Sequence, residues 1–213
     1  MVVKNTGASP RSEISVKILF ATNNQGKLNE VRWILHDTGW QLISLSDINY
    51  NVDIPETGQS YYDNAAIKAR AAFSIYKSWT MAEDSGLEID ALGGKPGVLS
   101  ARFFPPNMTY FERNRRILEM IIDLPAEKRT ACFRCVVCLI TPTGDEKCFE
   151  GVCRGRIAHT IRGGYGFGYD PIFIPDGYGL TFAEMGQEIK NRISHRAQAI
   201  RQMVQFLKEC LRA

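Results

Sequence analysis

The segment Glu83-Asp84-Ser85-Gly86 sets two carboxylates and a hydroxyl beside a glycine at the end of an apolar strand. A carboxylate so placed can hold a hard cation or take a proton from an attacking water. Asp and Ser beside Gly are also ordinary turn chemistry. Thr22-Asn23-Asn24-Gln25-Gly26-Lys27 puts a hydroxyl, amides and an ammonium on a loop that opens a helix. There the unpaired backbone N–H groups and the positive end of the dipole attract phosphate. The loop lacks the glycine spacing and Lys-Ser/Thr ending of a Walker loop, so a plain strand-to-helix turn competes with that reading. Phe167-Gly168-Tyr169-Asp170 offers an aromatic face, glycines that let a ligand approach the backbone, and a carboxylate acceptor. A core role for Phe167 is the alternative. His195 and Arg196 fall in the first turn of the last helix, where the dipole disfavours cations, so donation to a ligand explains them better than capping. Glu56 and Lys190 also have bland readings, as a charge near a helix N-terminus and a solvated surface cation.

Positioning these groups requires strands that end in loops. Residues 16–21 read as a buried strand feeding loop 22–27 and a helix with Val31, Ile34 and Leu35 on one face, and a second strand falls at 41–45. Residues 57–77 form a helix with Tyr62, Ala65, Ala66, Ala69, Ala72, Phe73 and Tyr76 in one stripe; Asn64 and Lys68 lie a turn apart on another face. Residues 79–83 return as a strand. Thr109 and Glu112 suit a capping box for a helix that carries Ile117, Leu118, Ile121 and Ile122 inward and ends at Pro125. Strands at 130–140 and 147–157 make a hairpin, residues 162–170 a glycine-rich loop, and Ser194 caps a helix burying Ala197, Ile200, Val204, Leu207 and Leu211. The pattern gives α/β or α+β with a mixed sheet.

The 26 basic and 23 acidic residues leave a net charge of +3, too balanced to call for nucleic acid or a membrane, though compatible with a polyanionic small ligand. With no bilayer-length apolar run and no apolar middle of a signal peptide near the start, a soluble cytoplasmic protein is expected. Residues 1–15 read as a flexible leader and 16–213 as one domain. Cys132, Cys135 and Cys138 show C-x-x-C spacing, but residues three apart on a strand face opposite ways, so buried reduced cysteines are expected rather than a metal site.

Five blocks, "FATNNQGKLNEV", "ETGQSYYDNAAIKARAA", "AEDSGLEIDALGGKPGVLSARF", "GFGYDPIF" and "KNRISHRAQA", occur in that order. With them the chain closely resembles the inosine triphosphate pyrophosphatase family, the XTP/dITP diphosphatases, from about residue 17 to about residue 207. The resemblance implies an elongated mixed β-sheet flanked by helices, two lobes with a nucleotide cleft between them, and a homodimer. It implies hydrolysis of ITP, dITP or XTP to the monophosphate and pyrophosphate, cleansing the precursor pool of deaminated purines. Asp84 is then the catalytic residue and, with Glu56, a Mg2+ ligand; Glu83 receives no assigned role. Thr22, Asn23, Asn24, Gln25, Gly26 and Lys27 cradle the triphosphate, and Ser85, Phe167, Gly168, Tyr169, Asp170, Lys190, His195 and Arg196 contact the nucleotide. Donors on His195 and Arg196 suit a 6-oxo purine and reject adenine, though guanine shares that oxygen. The alternatives are a related pyrophosphatase for modified pyrimidine or methylated nucleotides, and a nucleotide sensor without turnover. Ala101-Arg102-Phe103-Phe104-Pro105-Pro106 departs from the family pattern, which commonly has a glycine-containing loop there.

Overall fold

The computed structural model describes residues 16–50 and 54–212; the leader expected over 1–15 lies outside them. Among the described residues, six strands form one mixed sheet in the order β2-β1-β3-β4-β5-β6. β1 (Lys17–Phe20) is parallel to both β2 (Gln41–Ser44) and β3 (Thr80–Ile89). Antiparallel pairing then joins β3 to β4 (Thr130–Ile140), β4 to β5 (Glu146–Ile157) and β5 to β6 (Phe173–Pro175). The helices are α1 (Gln25–Leu35), α2 (Tyr61–Tyr76), α3 (Tyr110–Met120), α4 (Phe182–Ile193) and α5 (His195–Cys210).

Alternation along β3 separates the cores on its two faces. Met81 belongs to a core with Leu28 and Val31 of α1 and Ile200 and Met203 of α5. Ala82 faces the opposite core, where Ala65, Ala66, Ala69 and Ala72 bring α2 close to the sheet. Farther along, Leu87 and Ile89 join Ile117 of α3 and Phe182 of α4 in a third core. Residues 83–86 lie where the strand passes from one apolar lobe to the next, so the polar stretch falls at a gap in the cores.

β3 runs through Ser85 and Gly86, beyond the end expected at 83, because β4 pairs with its whole length. A Cβ on Gly86 would collide with the Gly97 carbonyl. Helix α2 starts later than expected, at Tyr61, with the Ser60 side chain accepting from Asp63 N–H at 3.1 Å. The Thr109/Glu112 capping box and the Ser194 cap form as expected. Tyr62, Ile122 and Leu211, expected inward, are exposed. Strand β6 and helix α4 were not legible: β6 has three residues, and the α4 pattern breaks at Gly186, whose φ is 78°.

The cysteine expectation needs correction. Cys138 and Cys148 are directly opposed on β4 and β5 and form a disulfide, while Cys132, Cys135 and Cys153 are buried free thiols. Spacing within one strand could not reveal a partner supplied by the register of the next.

Candidate active site

A cleft of about 500 Å³ opens over the middle of β3. On its α2 side, Asn64 is fully buried and joins two segments. Its Oδ1 accepts from Gly58 N–H at 2.8 Å, so its Nδ2 faces, and donates to, Asp84 Oδ2 at 3.0 Å. Lys68, one turn on, donates to Glu56 Oε1 at 2.5 Å and lies 3.6 Å from Asp84 Oδ1. Arg102 donates to the other Glu56 oxygen at 2.7 Å. Burial raises the Asp84 carboxyl above its ordinary value against the pull of Lys68, and Glu56 adds to the rise. For Glu56 the balance reverses: burial opposes ionisation, but Lys68 and Arg102 hold it below the ordinary range.

The pleat sends Glu83 to the other side of β3, so it and Asp84 do not act as a pair. Glu83 accepts from Arg196 Nε at 2.6 Å and Nη2 at 2.9 Å, and lies 3.0 Å from Lys27 Nζ. Arg196 Nη1 donates to Glu30 of α1, Glu30 accepts from Lys190 at 2.5 Å, and Lys190 also donates to Asp170. Asp170, Lys190, Glu30, Arg196, Glu83 and Lys27 thus form a chain of alternating charge beneath the cleft. Despite full burial, Arg196 and Lys27 hold the Glu83 carboxyl well below its usual range. Lys27 is raised: burial disfavours its charge, but Glu83 outweighs it.

At the opening of α1, Asn24 Oδ1 accepts from Lys27 N–H at 3.0 Å, and Thr22 Oγ1 from Asn24 N–H at 3.1 Å. These bonds fix the loop and leave the first amides of the helix without intrahelical acceptors. Phe167 stands between the cleft and a smaller cavity lined by Gly26, Glu30 and Gly186. Its ring packs so closely on Gly26 that a Cβ there would lie 2.6 Å from Cδ1. Lys190 Nζ sits 4.8 Å from the ring centroid. His195 stacks on Phe133 at 4.7 Å, its Nδ1 buried without a partner. Burial, then repulsion from Arg196 and Lys190, depresses its pKa well below 6.5, so it is neutral.

Of the residues singled out in the sequence, Thr22, Asn23, Asn24, Lys27, Glu56, Asp84, Ser85, Gly168, Tyr169, Asp170, Lys190, His195 and Arg196 line the cleft, with Phe167 at its wall. Gly26 lies behind Phe167, and Gln25 turns outward to Asn29. Lys190 is buried rather than a surface cation. Arg196 donates from every guanidinium nitrogen, leaving little capacity for a base edge. Unassigned from sequence were Asn64, Lys68, Glu30, Glu83 and Arg102. The i, i+4 spacing of Asn64 and Lys68 was a usable signal; nothing local marked Glu30.

Glu56 and Asp84 converge on one ammonium, showing a place built for positive charge. Two carboxylates lining one cleft suit a small hard cation that keeps other positions for water and phosphate. Among the described residues, Cys138, Glu146 and Cys148 form the one close grouping of three metal-ligating atoms, but its sulfurs are bonded to each other. No described helix is long and apolar enough to cross a membrane.

The Ham1 family model matches residues 18–206. The chain is 46% identical over 191 residues to a dITP/XTP pyrophosphatase of Porphyromonas gingivalis, covering 90% of this chain and 97% of that one. A Bacillus subtilis protein of the same name is 40% identical over 195 residues, with 92% and 98% covered. Among solved structures, a HAM1 protein from Coxiella burnetii superposes with a TM-score of 0.81 at 38% identity, covering 91% of this chain and 99% of that one. The Staphylococcus aureus Ham1 protein gives 0.80 at 36% identity, with 91% and 98% covered.

Proposed function

The chain belongs to the Ham1 family, and from that premise we propose that it hydrolyses ITP, dITP and XTP to the nucleoside monophosphate and pyrophosphate, clearing deaminated purines from the nucleotide pool. One observation carries the reading: the capped opening of α1 with Lys27 and the carboxylates Glu56 and Asp84 line the same cleft, beside the Phe167–Asp170 segment.

Phosphate oxygens meet the N-terminal amides of α1 and the Lys27 ammonium. Asn24 and Thr22 hold that loop in shape. Asp84, its basicity raised by burial, accepts the proton of the attacking water, while Asn64 keeps Oδ2 oriented and leaves Oδ1 toward Lys68. Glu56 and Asp84 would hold Mg2+, which when bound would supply Lewis-acid neutralisation of the phosphate oxygens. Phe167 offers a face for the purine. The unpartnered Nδ1 of neutral His195 is the polar atom left for the base edge, and Arg196 fixes the floor beneath it. The reading includes a homodimer, checked by sedimentation, in the cytoplasm where free nucleotides are made.

The test is a panel of ITP, dITP, XTP, GTP and ATP with Mg2+, detecting pyrophosphate and orthophosphate separately. Pyrophosphate from the first three, with ATP slower by roughly 10²-fold, is expected because a mispaired edge leaves buried polar groups unsatisfied. Initial release of orthophosphate, or equal rates on ITP and ATP, would overturn the assignment.

A further inference from the structure

Both oxygens of Glu56 already hold a cation, Lys68 on Oε1 and Arg102 on Oε2. The two are not equivalent. Lys68 is largely buried, with 11% of its side chain exposed, and is shared with Asp84; Arg102 is 39% exposed. An exposed pair is weak and easily exchanged, so Arg102 is the partner that yields when a divalent cation takes Glu56. The exchange needs no backbone movement. Arg113 donates to the carbonyls of Ala101 at 2.8 Å, Met108 at 3.0 Å and Pro105 at 3.2 Å, and Tyr169 Oη donates to Ser100 O at 3.1 Å. These bonds pin the loop Ala101-Arg102-Phe103-Phe104-Pro105-Pro106, and leave the exposed Arg102 side chain free to turn.

Charge shows where it turns. At that end of the cleft Lys27, Lys68 and Arg102 are each already paired, Lys27 with Glu83 on the far face of β3, Lys68 with Glu56 and Asp84, and Arg102 with Glu56, so none of the three is left unpaired for a triphosphate. Arg102 is the cation whose counter-charge a metal would take over, and its planar fork matches two phosphate oxygens. We propose that Arg102 is a pyrophosphate-binding residue, parked on Glu56 in the free protein and transferred to the β- and γ-phosphates when Glu56 engages the metal. This rests on the reading of the cleft as a pyrophosphatase site.

The experiment measures binding without turnover. Mn2+ alone, then pyrophosphate with Mn2+ present, then IMP, are titrated calorimetrically into wild type, Arg102→Ala and Arg102→Lys. Arg102→Ala should bind Mn2+ several-fold more tightly, because Glu56 Oε2 no longer has a cation to give up, and pyrophosphate about 10-fold more weakly, with IMP unchanged. Arg102→Lys should recover only part of the pyrophosphate affinity, since a point charge replaces a fork. It also supplies the answer in the same direction if the alanine variant fails to fold. Wild-type binding of both probes with neither variant altered would overturn the proposal alone. A wild type that binds neither Mn2+ nor pyrophosphate would overturn the pyrophosphatase reading and this proposal together.

Discussion

The two ends of the cleft contain the same contact, an arginine on a glutamate, under opposite conditions. At the end beside Phe167, the one proposed to take the base, Arg196 and Glu30 have side chains only 2% and 6% exposed, inside a chain of six alternating charges. At the end beside Glu56, the one proposed to take the phosphates, Arg102 and Glu56 are 39% and 26% exposed. Burial makes the first contact part of the scaffold, because neither partner can find water if the other leaves. Exposure makes the second replaceable. Recognition of a rigid purine calls for the former; taking up a metal and a flexible triphosphate calls for the latter.

The largest expected effect breaks the buried end. Glu30→Gln leaves Lys190 and Arg196 short of a counter-charge, and should lower the unfolding free energy by about 3–5 kcal/mol. Denaturant titration reads it directly. A loss under about 1 kcal/mol would show that the buried chain relaxes like a surface network and would erase the contrast.

Next comes Asp84→Asn. The amide oxygen still accepts from Asn64, so the fold should hold, while the basic oxygen is lost. Turnover at saturating Mg2+ should fall by roughly 10² or more. Near-normal kcat would remove Asp84 from the reaction.

A pH effect separates the ends further. Burial, then Arg196 and Lys190, keeps His195 neutral in the native state, whereas in the unfolded chain it titrates near 6.5. Below that pH the unfolded state binds a proton that the native state refuses, so stability falls as pH drops, by up to about 1.4 kcal/mol per pH unit. Above about 6.5 the contribution is flat. His195→Gln should lose this slope in denaturation midpoints compared at pH values of about 7.5, 6.5 and 5.5; an unchanged slope would assign it to other groups.

How much of this was legible in the sequence follows the same division. Lys27, Asp84, Asp170, Lys190 and Arg196 stand in recognisable blocks, and periodicity placed Lys27 at the opening of α1 and Arg196 at the start of α5, whereas Asp84 fell inside a strand longer than expected and Lys190 on a helix that was not legible. Their counter-charges Glu30 and Glu83 stand in the same blocks, but nothing within a block shows what they pair with. Glu30 pairs with Lys190 across 160 positions, and Glu83 with Arg196 across 113, so no local pattern joins them. Adjacency misled at Glu83 and Asp84, which look like a pair until the pleat separates them. The Cys138–Cys148 disulfide was hidden for a related reason, since register between strands is a tertiary fact. Asn64 and Lys68 were visible as a spacing, but their roles depended on which sheet face α2 covers.

The smallest effect is the sharpest test of the comparison. A double-mutant cycle on Arg102 and Glu56, measured on stability in metal-free protein, should give a coupling of about 0.2–1 kcal/mol, as for other exposed pairs. Raising the salt to about 1 M shortens the screening length to about 3 Å and should bring that coupling close to zero. The same cycle on Arg196 and Glu30 should be several times larger and nearly indifferent to salt, because ions do not reach partners this buried. Equal couplings with equal salt dependence would mean that burial does not distinguish the two contacts. The exchange of Arg102 from Glu56 to phosphate would then lose its energetic basis.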